Sequence, residues 1–223
     1  MLDLWAAPIP ASPPPCLSPL SLLFQHLDAI AAVKFMKSRG FKHLVTIGTS
    51  IGAVSALLAA HRLPDDVVGV AAENPFTTIL DNVEGLVHKV AFERVLLRRN
   101  QAAMFMCTPV RRAVTRMTKW RIMQKLGPTA HDPDMQAVNV MAHLAPRPVL
   151  LMHGTEDSLI DHSHTVELAK QASSKHTEVW LAEGADHTVL YDKHPEEFRE
   201  RVFRLLDRAT AYAATLDERE AAT

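Results

Sequence analysis

The sequence predicts an α/β fold built around a parallel sheet. Four short apolar runs alternate with segments of helical periodicity, which is the pattern of parallel strands joined by right-handed helical crossovers. The 223 residues suffice for one domain with a sizeable core, and the hydrophobic fraction of 48% is ordinary for a globular protein. The net charge of −1 gives no bulk attraction to nucleic acid or to a membrane.

The elements are predicted in order from apolar periodicity and turn residues. An amphipathic helix over 24–39 ends at Gly40, and a β-branched run then predicts the first strand at 44–47. The remaining predictions are strands at 67–72, 149–153 and 177–181, and helices at 53–60, 162–173 and 195–214. Residues 1–21 contain six prolines and no basic residue, so we expect a disordered or polyproline-like tail preceding one domain over 22–223.

Residues 76–144 interrupt the alternation with helical segments and no convincing strand. We therefore expect a helical cap inserted between the second and third strands. Its stretch 94–125 carries nine Arg and Lys residues and no acid. The favoured interpretation is a solvated outer face whose apolar side packs on the body. That side contains Val110, Val114 and Met117, and Trp120 is a further candidate for it. The alternatives are attraction of an anionic substrate and contact with an acidic membrane surface.

The stretch Gly48-Thr49-Ser50-Ile51-Gly52 joins the first strand to the small-residue helix. A serine at such a corner is held in a strained turn with its hydroxyl above the sheet. We expect both glycines to be required, because a Cβ at either would collide with the neighbouring strand or helix. The Ile51 amide, at the helix N-terminus, would face an oxyanion forming beside Ser50. The plainer interpretation is a turn that only links the two elements.

A serine hydroxyl needs a base within hydrogen-bonding reach, and the base needs an acid to orient it. Such groups are expected on loops at the carboxyl ends of later strands. The third predicted strand leads into a loop containing Asp157, and the fourth leads into a loop containing His187. The chain order is therefore Ser, Asp, His.

These segments resemble the α/β-hydrolase superfamily over about residues 26–206. The strand, serine turn and helix resemble its nucleophile elbow, and the third strand with its acid loop is similar to the serine-aminopeptidase-like, prolyl-oligopeptidase-like and small esterase branches. The stretch Gly184-Ala185-Asp186-His187 resembles the histidine loop of those branches. The resemblance implies a three-layer fold in which Ser50 is the nucleophile, Asp157 the acid and His187 the base.

Other side chains compete for these roles. Asp161 and Glu156 share the acid loop, but Asp157 follows the His-Gly pair at the spacing that the family uses. We expect Asp186 to point away from its neighbour and His153 to shape its loop. The other histidines show no HExxH or comparable pattern, so we expect no metal, and the chemistry requires no cofactor.

The strands that precede the elbow strand in this superfamily are not recognisable here. One of them ends in a loop that supplies a second oxyanion amide, and no glycine precedes Gly40 in this chain. The elbow strand would then lie at a bare sheet edge. Three explanations stay open, namely a truncated or misassigned reading of a longer gene, which we favour, a short form that forms a homodimer through this edge, and an inactive protein.

The expected function is a serine hydrolase that cleaves an ester or amide through an acyl-enzyme. The alternatives are an impaired or inactive binding or scaffold protein on the same fold, and an acyltransferase that uses the same triad. The expected partner is a small-molecule or peptide substrate. The absence of a signal-peptide pattern, together with Cys16 and Cys107 at no disulfide-framework spacing, favours the cytoplasm.

Overall fold

A computed structural model describes residues 25–82, 108–126 and 132–222. Its sheet has four parallel strands in the order β1 (Leu44–Thr49), β2 (Val67–Glu73), β3 (Val149–Gly154) and β4 (Thr177–Ala182). All four predicted strands are present, and each extends one or two residues beyond its predicted end. The predicted tail at 1–21 lies outside the described residues.

The strand register aligns the carboxyl ends of the strands. Thr49 pairs with Glu73, Glu73 pairs with Met152, and Gly154 pairs with Ala182. The segments that follow the four strands therefore leave the sheet at the same edge. Within the described sheet β1 is an outer strand, and pairing of this edge with a second copy stays a prediction.

Helices cover both faces of the sheet and give three layers. They are α1 (Gln25–Ser38), α2 (Ile51–Arg62), α3 (Thr108–Leu126), α4 (Ala137–Val140), α5 (Ser163–Gln171), α6 (Leu190–Lys193) and α7 (Pro195–Ala221). Because successive strand residues point to opposite faces, Val70 and Leu151 pack in the cluster beneath α2. Ala71 and Leu150 pack with Leu205 of α7 on the other face. The predicted fold class is confirmed.

The last helix is longer than the predicted 195–214. It ends at Ala221, and its added turns are held to the start of β1 because the Asp217 carboxylate accepts hydrogen bonds from Lys42 and from His43, the latter at 2.9 Å. This long-range contact has no signal in the local sequence. The four-residue helix α6 was also not predicted.

The basic segment does not pack as predicted. Of this segment, residues 108–125 are described, and they lie in α3. The buried or half-buried side chains on α3 include Val114, Thr115 and Thr118. Met117 and Trp120 lie on the outer face and are 53% and 58% exposed. The expectation that these two side chains pack on the body was wrong. Among the described helices, none is long and apolar enough to cross a membrane.

Candidate active site

Ser50 occupies the corner between β1 and α2. Its backbone is left-handed, with φ 55° and ψ −123°, a region that non-glycine residues rarely adopt. Its N–H donates to the Glu73 carbonyl at 2.8 Å, and its own carbonyl accepts from the Ala53 N–H at 3.0 Å. The strained residue is thus fixed to the neighbouring strand and to the helix that it begins, as is common at functional sites.

The two flanking glycines have different structural roles. A Cβ on Gly48 would lie 2.1 Å from the Gly52 carbonyl oxygen and 2.8 Å from the Ala53 nitrogen, so the elbow has no room for it. A Cβ on Gly52 would meet no heavy atom of the described residues within 4 Å, apart from its chain neighbours and the backbone of its own helix. The expectation that both positions exclude a side chain holds for Gly48 and was wrong for Gly52, because Gly52 faces open space on α2.

The three predicted side chains lie in one chain of hydrogen bonds. The Ser50 Oγ lies 3.0 Å from the His187 Nε2, and the His187 Nδ1 lies 2.8 Å from the Asp157 Oδ2. Because an ionised carboxylate only accepts, Nδ1 carries the proton, and Nε2 of the neutral ring accepts from the hydroxyl. The ring is therefore oriented to take a proton from the serine.

The Asp157 side chain is fully buried, with donors around both oxygens. Its Oδ1 accepts from the amides of Leu159 and Ile160 at 2.8 Å each. Its Oδ2 also lies 3.2 Å from the His153 Nε2. Burial alone would raise the pKa of this carboxyl, but the hydrogen bonds from His153, His187 and the two amides outweigh it and hold the pKa far below its usual range. These hydrogen bonds therefore hold Asp157 in its ionised form.

The competing carboxylates have other partners. Asp161 accepts from the Ser163 N–H at 2.9 Å at the start of α5, while Glu156 is exposed. Asp186 accepts from the backbone N–H of His187 at 2.7 Å and from both the N–H and the hydroxyl of Ser158 at 2.8 Å. It therefore ties the acid loop to the histidine loop.

His153 shapes the acid loop from inside the protein. Its ring is fully buried, with Nδ1 2.7 Å from the Thr165 hydroxyl and Nε2 3.0 Å from the Ile160 carbonyl. The next residue is equally constrained, because a Cβ on Gly154 would lie 2.1 Å from the Ala185 carbonyl oxygen. No group of three metal-ligating side chains occurs within residues 25–82, 108–126 and 132–222.

Sequence reasoning missed two polar residues at the end of β2. Glu73 is 5% exposed and accepts from the Leu190 N–H at 3.3 Å. Burial raises the pKa of the Glu73 carboxyl, opposed by this hydrogen bond and by the nearby His187. Asn74 is fully buried and contacts Asp157. The available signal was a carboxylate and an amide closing a wholly apolar run, since buried polar groups need specific partners.

A strained serine between a parallel strand and a helix, with histidine and aspartate on the loops after later strands, defines the α/β-hydrolase class of proteins. The family described as serine aminopeptidase, S33, matches residues 24–194. The chain belongs to this family, and the resemblance seen in the sequence is confirmed.

Solved structures share the fold at low sequence identity. A Pyrococcus furiosus esterase is 20% identical with a TM-score of 0.57, over 82% of this chain and 61% of that protein. A meta-cleavage product hydrolase from Pseudomonas fluorescens is 17% identical with a TM-score of 0.54, over 82% and 72%. A bacterial membrane phospholipase A is 19% identical with a TM-score of 0.54, over 83% and 64%.

These similarities establish the fold and leave the activity to be inferred. The chain spans about three fifths of the length of the Pyrococcus esterase. A search of curated proteins finds no match to the chain.

Proposed function

We propose that this protein is a serine hydrolase that cleaves carboxylic ester or amide bonds through an acyl-enzyme on Ser50. The observation that carries the proposal is the continuous hydrogen-bond chain from Ser50 through His187 to Asp157, with heavy-atom distances of 3.0 and 2.8 Å. These distances lie within the range in which a base takes a proton from a nucleophile.

The first half of the reaction forms the acyl-enzyme. The Ser50 oxygen bonds to the substrate carbonyl carbon while its proton passes to the His187 Nε2. The ionised Asp157 orients the ring and stabilises the imidazolium. When the tetrahedral intermediate collapses, the bond to the leaving alcohol or amine breaks, and that group takes the proton from His187.

The second half releases the acyl group by the same steps. Water bonds to the acyl carbon while His187 takes its proton, and the proton then returns to the Ser50 oxygen as the acid departs. The Ile51 amide is assigned to the oxyanion because the first amides of a helix lack intrahelical partners. A single donor of this kind is worth roughly 2.7–4 kcal/mol in the transition state.

Carbonyl substrates fit the description of the family and the names of two structural neighbours. The S33 family is described as aminopeptidases, and the neighbours include an esterase and a phospholipase. An aminopeptidase, an esterase and a phospholipase each act on a carbonyl that bears an oxygen or nitrogen leaving group. We therefore place the substrate in this class without choosing between ester and amide.

Labelling with a fluorophosphonate probe tests the proposal. The probe bonds to an activated serine oxygen, so wild-type protein is expected to be labelled and Ser50→Ala is expected to lose the label. Ser55→Ala is the matched control, because Ser55 lies on the same helix and its hydroxyl bonds to the Ile51 carbonyl. It is expected to keep the label.

Two outcomes would count against the proposal. Label retained in Ser50→Ala would place the nucleophile elsewhere. A folded wild-type protein that takes no label and hydrolyses neither p-nitrophenyl butyrate nor aminoacyl p-nitroanilides would support the non-catalytic binding protein instead.

A further inference from the structure

Asn74 is fixed in place by its own backbone. It directly follows β2, its N–H donates to the Met152 carbonyl at 2.8 Å, and its φ of 50° lies in the left-handed region. Asparagine tolerates this conformation better than most side chains. The side chain is completely buried, so its amide must find its partners inside the protein.

Those partners are the two loops that carry the acid and the base. The Asn74 Nδ2 donates to the Asp157 Oδ2 at 2.6 Å, and its Oδ1 accepts from the Thr188 N–H at 3.3 Å. Thr188 directly follows His187 and also has a left-handed φ, 58°. One amide therefore contacts the acid after β3 and the backbone beside the base after β4.

We propose that Asn74 is a positioning residue for the hydrolysis proposed above, on which this inference rests. Its Oδ1 holds the histidine loop, while its Nδ2 shares the Asp157 Oδ2 with the His187 Nδ1. The His153 Nε2 lies 3.2 Å from the same oxygen. Because these donors divide the charge on one oxygen, Asn74 limits how strongly Asp157 stabilises the protonated His187. It therefore sets both the place of the ring and the pH at which the ring becomes a free base.

Two substitutions separate these effects. Asn74→Gly deletes the amide but keeps the left-handed backbone free of strain. Asn74→Asp keeps the shape and the acceptor for Thr188, but its carboxyl donates to Asp157 only while it is protonated. Asn139→Asp is the matched control, because the exposed Asn139 bonds only to nearby residues of its own turn among the described contacts.

The rate constant of fluorophosphonate labelling is measured in each variant between pH 5 and 9. Asn74→Gly is expected to label roughly 10- to 100-fold more slowly than wild type, since small displacements of reacting groups cost about this much. The ratio of its rate constant to that of wild type falls further as the pH falls, because the charge on Asp157 that Asn74 no longer shares keeps His187 protonated to higher pH.

Asn74→Asp is expected to show the opposite trend. Its ratio to wild type rises as the pH falls, because the introduced carboxyl then regains a proton and replaces the lost donor. Other titratable groups facing this site, namely Glu73, His153, Asp186 and Asp192, are unchanged in every variant. If the labelling rate constants of both variants, relative to wild type, do not vary with pH, Asn74 has only a packing role and the inference is overturned.

A titration of the His187 ring by NMR is independent of activity. The resonance is assigned by its loss in His187→Gln, and Asn74→Gly is expected to move its midpoint upward by roughly half a pH unit or more. If the midpoint moves although the wild-type protein takes no label and hydrolyses neither p-nitrophenyl butyrate nor aminoacyl p-nitroanilides, the proposed function fails, while the effect of Asn74 on the His187 ring stands. An unmoved midpoint, in protein whose amide spectrum shows a retained fold, would overturn the inference alone.

Discussion

The two glycines that flank the nucleophile provide a matched pair of substitutions. An alanine Cβ at Gly48 would lie 2.1 Å from the Gly52 carbonyl oxygen, about 0.9 Å short of the 3.0 Å that real Cβ atoms respect. Both the clashing oxygen and the nearby Ala53 nitrogen belong to backbone, so no side-chain rotation relieves the overlap. The elbow must open by nearly 1 Å in Gly48→Ala.

That opening acts on stability and on reactivity. Overpacking of a tight site costs about 1–3 kcal/mol in the free energy of unfolding. A displacement of this size also disrupts the 3.0 Å contact between Ser50 and His187 and is expected to slow fluorophosphonate labelling by about 100-fold. Gly52→Ala adds the same methyl group to open space on a helix, where alanine gains up to about 1 kcal/mol over glycine.

The assay compares urea unfolding and labelling rates of both variants with wild type. We expect Gly48→Ala to lose stability and reactivity, while Gly52→Ala keeps both. If the two variants behave alike, or if Gly48→Ala labels at the wild-type rate, clearance at the elbow does not control the position of Ser50.

Three other substitutions test the surroundings of the site. Asp157→Asn removes the charge and the acceptor that fix the His187 tautomer, and it is expected to slow labelling about 10⁴-fold while far-UV circular dichroism is retained. Glu73→Gln is expected to have a larger free energy of unfolding than wild type, and this difference is expected to increase as the pH rises from 4 to 8. The raised pKa of Glu73 means that the folded wild-type protein binds the extra proton, and loses that stabilisation as pH increases; a constant difference in urea melts would contradict this. Arg147→Met removes a buried guanidinium that donates to the Ala60 carbonyl near the end of α2, and urea unfolding should show a loss of about 1–3 kcal/mol.

The sequence predicted the strands and the three principal site residues because each has a local signal. Ser50 lies in a glycine-flanked turn, and Asp157 and His187 follow apolar strand runs directly. Parallel strands then bring their carboxyl ends together without further information. The distances between these three side chains could not be predicted from the sequence, because they depend on the strand register and on loop conformations such as the left-handed Thr188.

Other features were predicted wrongly or not at all, because the sequence carries no local signal for them. The outward rotation of Trp120 on α3 depends on which helix face meets its neighbours, and amphipathic spacing gave the opposite answer. The open space beside Gly52 depends on what packs across from α2. Asn74 was not identified from the sequence, because its two side-chain contacts are with loops that lie more than 80 residues further along the chain.

The carboxyl groups of Asp157 and Glu73 both lie at this edge of the sheet, and their surroundings decide which one is the charged partner of His187. Asp157 accepts hydrogen bonds from two backbone amides, from Asn74 and from His187, so its ionised form is the stable one despite burial. Glu73 is buried and accepts from the Leu190 N–H, and burial raises the pKa of its carboxyl instead of lowering it. Environments that push two pKa values apart assign different roles to the same functional group. The number of donors aimed at each carboxyl therefore makes Asp157 the charged partner of the imidazole, although Glu73 lies on the strand that holds Ser50 in place.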